Sequence, residues 1–361
     1  MLRKVLLASV AGLVVAAGAA PVLAQTGSPA AAASSASAWQ DGLFGVKLDR
    51  QKGKATVRLP APGADGVLGR YLYQPGLSAG LGMDGAGLDR SGLGSAQVVV
   101  FRKVGNRVFA AFENTRFRAV DAAADQVNAV AASFAPSVVW SGEVVETGAD
   151  GSVSVDLSGF LERDAVNAVG RLKRARLGTF KTAPTLGYLD ADQTLVFPDN
   201  VEFQTVQTFT SDEPGAELSR VSPESRSVTL TVRHSFIRLP DDGFTPVLHD
   251  PRSGTSAQVM VTDFAADLDQ PVVSRLARRF RLEKTDPTAA RSTVKKPIVF
   301  YVDRAAPPAI RQALIEGGNW WAQAFEQAAQ FSVIAMAVDH QQDRTQCRRQ
   351  APATVFDFLT A

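Results

Sequence analysis

Cysteine is nearly missing from this chain: among 361 residues only Cys347 carries a thiol. No disulfide can close within one chain, so the fold must be held by core packing. Arg344, Arg348 and Arg349 stand near Cys347, and such neighbours lower a thiol pKa. Cys347 could be a nucleophile in principle, but it is read as a chance thiol near the C-terminus. Histidine is almost as scarce, at His234, His249 and His340. No two lie within four residues of each other and none is followed by glutamate. That excludes the helix that carries two zinc histidines four apart with a glutamate beside the first. A surplus of one charge is missing too, with 38 Lys and Arg against 36 Asp and Glu. A dedicated nucleic-acid binder needs a basic face to neutralise phosphates, so no nucleic-acid partner is expected.

What is present begins with a secretory leader over residues 1–24. Arg3 and Lys4 are basic, residues 5–20 are mostly apolar, and Val22-Leu23-Ala24 offers a cleavage site before Gln25. This order of parts marks export and predicts a periplasmic or secreted protein. Residues 25–38, rich in Ala and Ser, are expected to form a flexible tether. No later run approaches the roughly 20 apolar residues that span a bilayer, and no membrane contact is expected after cleavage. The remaining length suits two domains.

From Leu43 to Val155 the pattern is that of β structure. Strands are expected at Leu43 to Asp49, Lys54 to Leu59 and Val67 to Gln74. Gln97 to Lys103 and Arg107 to Glu113 flank Val104-Gly105-Asn106 and predict a tight hairpin. A helix is expected over Asp121 to Phe134, with Val127, Val130 and Phe134 on one face, and a basic helix over Asp164 to Arg176. Residues 75–90 are glycine-rich and predict a loop. Further strands are expected at Val201 to Thr210 and Ser227 to Leu239. In the latter, Val228, Leu230, Val232, His234 and Phe236 alternate with polar residues, as in a half-buried strand. Pro297 to Val302 is continuously apolar, as in a strand buried on both faces. Pro308 then suits the first turn of a helix on which Ile310, Leu314, Trp321 and Phe325 recur at helical spacing.

Several chemical motifs are only superficially satisfied. Gly76-Leu77-Ser78-Ala79-Gly80 has the spacing of a nucleophile elbow, but Pro75 precedes it and no helix start follows. Gly80-Leu81-Gly82-Met83-Asp84-Gly85 has dinucleotide-fingerprint spacing and lacks the same helix to hold a pyrophosphate. His234 falls on the apolar side of its strand and is read as a hydrogen-bonded core imidazole. His249, before Asp250-Pro251, is read as solvated, and Asp241-Asp242-Gly243 as a turn.

A set of stretches then occurs in order: Gly87-Leu88-Asp89-Arg90-Ser91-Gly92, Arg233-His234-Ser235-Phe236, Leu239-Pro240-Asp241-Asp242-Gly243-Phe244, Asp250-Pro251-Arg252-Ser253-Gly254, Leu282-Glu283-Lys284-Thr285-Asp286-Pro287, Pro297 to Arg304, and Ala313-Leu314-Ile315-Glu316-Gly317-Gly318-Asn319-Trp320-Trp321. The string resembles a family of exported bacterial zinc-dependent metallopeptidases. Members carry two N-terminal domains of unknown function ahead of a metzincin-like catalytic domain. The resemblance spans about Trp39 to Ala328 and implies peptide-bond hydrolysis by zinc-bound hydroxide in full-length relatives. Their zinc helix lies downstream of every matching position. No catalytic, cofactor-binding or metal-binding residue therefore carries over, and no cofactor is expected in this chain.

The expected fold is a mainly β (α+β) N-terminal region followed by the start of an α/β metzincin-like domain. After the leader and tether, the boundaries expected are 39–85 for a small N-terminal β domain and 86–285 for a β-rich domain. Residues 286–296 are expected as a linker and 297–329 as the truncated start of the metallopeptidase domain. Residues 330–361 are expected as a divergent or frameshifted tail. The expected function is the catalytically inactive front of such an enzyme, with a peptide or protein substrate as partner. The alternative is a non-catalytic β-rich scaffold or substrate-binding module.

Overall fold

The structure, a computed structural model, describes residues 38–83, 85–240, 243–254, 258–303, 305–329 and 331–338. The leader, most of the tether, Asp84, Asp241-Asp242, His340 and Cys347 lie outside the described residues.

In chain order the elements begin with β1 (Gly45–Asp49), β2 (Lys54–Leu59), β3 (Val67–Ala79), β4 (Gln97–Val104), β5 (Arg107–Phe112), β6 (Phe117–Arg118) and α1 (Ala124–Ser133). Next come β7 (Ser137–Thr147), β8 (Val153–Asp156), α2 (Ser158–Leu161), α3 (Ala168–Arg174), β9 (Lys181–Thr182), β10 (Tyr188–Leu189) and β11 (Leu195–Val196). The rest are β12 (Asn200–Thr210), β13 (Ser227–Arg238), β14 (Gln258–Asp263), β15 (Val273–Ala277), β16 (Ser292–Val302), α4 (Pro308–Ala329) and β17 (Phe331–Val338).

The architecture is mainly β, of the α+β kind. Among the described residues twelve strands join in the order β1-β2-β8-β7-β5-β4-β3-β13-β12-β10, with β9 and β11 also on β12. Every pairing in this curled sheet is antiparallel. The hairpin β4–β5 turns at Gly105, whose φ of 57° is the left-handed conformation glycine adopts freely. On β13 the alternation works as the sequence implies: Val228, Leu230, Val232, His234 and Phe236 are all buried.

The glycine-rich stretch is not all loop. β3 continues through Pro75, Gly76 and Leu77, which pair with His234, Arg233 and Val232. Burial of Leu77 against the first half of β13 outweighs the low strand propensity of its neighbours. At Gly80 the chain folds back so tightly that a Cβ would meet the Leu88 carbonyl oxygen at 2.1 Å. The expected helix over 121–134 shortens to α1, which buries none of its residues. Phe134 instead stacks on Phe117 with ring centroids 4.0 Å apart.

Two apolar clusters fill the inner face of the sheet. One gathers Phe44, Tyr71, Tyr73, Phe101, Phe160, Phe203 and Phe236. The other gathers Leu77, Leu88, Leu172, Phe209, Leu230 and Val232. Burying each such side chain contributes about 1.5–3 kcal/mol. The segment from Leu157 to Leu177 crosses the sheet from the first cluster to the second, with Phe160 in one and Leu172 in the other. Asp164 organises the crossing by accepting from the N–H groups of Ala168 (2.6 Å) and Val169 (2.9 Å). This satisfies donors that open α3, a shorter helix than the expected 164–176.

Smaller units follow in the chain. β15-β14-β6 form a three-stranded sheet. Residues 286–296 are not extended linker throughout: Val294 bridges Lys284, and β16 already begins at Ser292. Residues 331–338, placed by sequence in the divergent tail, form β17 and pair in parallel with β16 across α4. The string FSVIAMAV has the β-branched and apolar character that makes this possible.

Candidate functional site

The boundary between the two apolar clusters is polar. On β12 the inward parity runs Val201, Phe203, Thr205, Gln207, Phe209, so two polar side chains interrupt an apolar series. Diagonally across from Thr205, His234 on β13 is fully buried, its register partner being Phe203. Its Nδ1 lies 2.8 Å from Tyr73 Oη and its Nε2 3.0 Å from Thr205 Oγ1. A neutral ring has one N–H, so it donates to one of these hydroxyls and accepts from the other. Burial, with a smaller push from the Arg163 guanidinium, drives the His234 pKa down to about 3. The same burial raises the Tyr73 phenol above its ordinary range. The core-imidazole reading of His234 therefore agrees with its position.

Gln207 ties the crossing segment down. Its Nε2 donates to the carbonyls of Leu161 (2.9 Å) and Arg163 (3.0 Å) and lies 3.2 Å from Thr205 Oγ1. Arg163 lays its guanidinium over the Phe160 ring at 4.0 Å and donates from Nε to the Phe160 carbonyl. Two atoms of this network, Gln207 Oε1 and Arg163 Nη2, are buried without a hydrogen-bond partner. Beside it a shallow cleft opens along β12, lined by Glu162, Thr182, Pro184, Tyr188, Thr205, Gln207 and Thr208.

A second buried group sits on the other parity of β12. Glu202 accepts from Asn200 Nδ2 at 2.9 Å and from Ser235 Oγ at 2.5 Å, with Arg233 at 3.9 Å. Burial raises its pKa, and the three neighbours oppose the rise.

The other sequence candidates do not assemble. Ser78 lies within the extended β3, not on a strained turn, and the ring nitrogens of His234 bond Tyr73 and Thr205 instead. His249 is not simply solvated: it is half-buried, its N–H donates to the Arg275 carbonyl, and its Nδ1 is buried without a partner. Among the described residues no three His, Cys, Asp or Glu side chains gather as metal ligands. A zinc ion does not fit these residues, since both ring nitrogens of His234 are already engaged. Tyr73, Thr205, Gln207, Arg163 and Glu202 were not singled out by sequence. The available signal was polarity at the inward positions Thr205 and Gln207.

Comparison with known families decides the affiliation. A family model described as a domain of unknown function, DUF5117, matches residues 91–285. The chain belongs to the DUF5117 family. The match takes in β4 to β15 and both halves of the polar network on β12 and β13, whereas β1, β2 and β3 precede it. The DUF5117 region thus shares its large sheet with strands outside the match, including β3, which supplies Tyr73. No curated protein and no solved structure matches the chain.

Proposed function

We propose that the chain is the front part of an exported zinc-dependent metallopeptidase, in which the DUF5117 region is a non-catalytic scaffold. The observation that carries this reading is the change of architecture after the match ends at residue 285. Antiparallel sheet gives way to β16, the 22-residue α4 and β17, a parallel strand–helix–strand unit. Such a unit opens an α/β domain, and it falls on the stretches that resemble the start of the metzincin-like domain. The closed polar network supports the scaffold role. A neutral imidazole fixed on both sides and stacked on the Tyr73 ring holds strands in register rather than moving protons for a substrate.

The proposal includes export through the leader at residues 1–24. It also places zinc chemistry outside the described residues. The test is to read the gene beyond the codon for Ala329 in all three frames. A helix pattern with two histidines four apart and a glutamate beside the first is expected. Its absence from every frame overturns the peptidase reading. Zinc bound stoichiometrically by the chain, together with hydrolysis of casein, would instead overturn the scaffold assignment.

A further inference from the structure

The nearly even charge of the whole chain hides a local excess. Between residues 275 and 296 eight Lys and Arg stand against Glu283 and Asp286 alone, while the chain as a whole carries +2. The fold lays these cations along one run of chain and its paired neighbour. Arg275 lies on β15, and farther along Lys284 bridges Val294 on β16, so residues 283–285 run beside 293–295. Arg275, Arg278, Arg291 and Lys296 are exposed and form no ion pair among the described residues. Glu283 is already shared between Arg281 and Lys295. Next to the cations lie two exposed aliphatic side chains, Val247 at 46% and Leu248 at 68%. They are fixed to the same strand, since Leu248 bridges Leu276 and Ala277 donates to the Val247 carbonyl.

We propose that this basic segment, with Val247 and Leu248 paired to it, docks the protein on an anionic phospholipid surface. The cations meet headgroup phosphates, and Val247 and Leu248 enter the interface between them. Clustered cations beside exposed aliphatic groups are what an interfacial site combines. A nucleic acid or an acidic polypeptide would use the cations and leave the aliphatic pair without a role. No described helix is long and apolar enough to cross a membrane, so the contact is peripheral. It departs from the sequence expectation because a folded docking face contains no long apolar run.

The test is co-sedimentation of the mature protein with vesicles of phosphatidylcholine alone or mixed with phosphatidylglycerol. Binding is expected only to the mixed vesicles. It should vanish at about 1 M salt, where screening shortens to about 3 Å. Each cation removed should lower partitioning about fivefold, so Arg278→Gln, Arg291→Gln and Lys296→Gln together should lower it roughly a hundredfold. Leu248→Ser should weaken binding without changing its salt dependence. Circular dichroism of each variant should match the parent. Equal binding to both vesicles, no binding to either, or an unaffected triple variant overturns the proposal. So does capture of DNA or polyglutamate with none of the vesicles.

Discussion

His234 contacts two hydroxyls and no carboxylate, so a proton added to its ring stays uncompensated in the core. Its folded pKa, near 3, lies below the ordinary 6.5. The native state therefore binds fewer protons than the unfolded state across this interval. The stability tied to neutral His234 is complete above about pH 6.5 and is lost as pH falls toward 3. The slope is about 1.4 kcal/mol per pH unit. His234→Gln should cost about 2 kcal/mol at neutral pH through weaker hydrogen bonding. It should also flatten the decline between pH 6 and 4 by that slope. Urea unfolding at a series of pH values measures both, and equal slopes in parent and variant would show that the imidazole protonates while folded. Glu202 has the opposite sign. Its raised pKa gives a contribution present below its ordinary 4.5 and lost as pH rises through the folded value, so the two buried groups shape opposite edges of the pH profile.

At the scale of elements, α4 is the clearest case of an exposed apolar face among the described residues. Ile310, Leu314, Trp320 and Trp321 are all exposed, Trp320 to 73%. Replacing Trp320 and Trp321 with serine should change unfolding of the large sheet by no more than about 0.5 kcal/mol, as for other surface changes. The same variant should bind markedly less of a dye that reports exposed apolar surface. Unchanged dye binding would mean that the indoles are covered. The helix itself was legible, because Pro308 and the spacing from Ile310 to Trp321 are local signals. So were the β4–β5 hairpin and β13. The extension of β3 through Pro75 was not legible, since it depends on Leu77 meeting Val232 in a strand about 155 residues away. The polar network was half visible: His234 announced itself by parity. Its partner Tyr73 lies 161 residues away, and no periodicity encodes that register.

For the molecule as a whole, the sequence suggested a linker over residues 286–296. The structure narrows this, because Thr285 donates to Thr293 and Lys295 to Glu283. Limited trypsin digestion should cut first at Arg291, in the exposed loop between these pairings, and leave a stable fragment containing the twelve-stranded sheet. Initial cleavage within β12 or β13 would contradict the division. The end of that sheet has a further consequence. β12 is an eleven-residue strand, and its outer side is met by β9, β10 and β11, each two residues long. Short pieces with turns between them offer an incoming chain no continuous ladder to copy. If the stretch from Lys181 to Val196 were released, every molecule would present a ready template to the next. The small ribbon thus stands between a solitary protein and a self-propagating polymer.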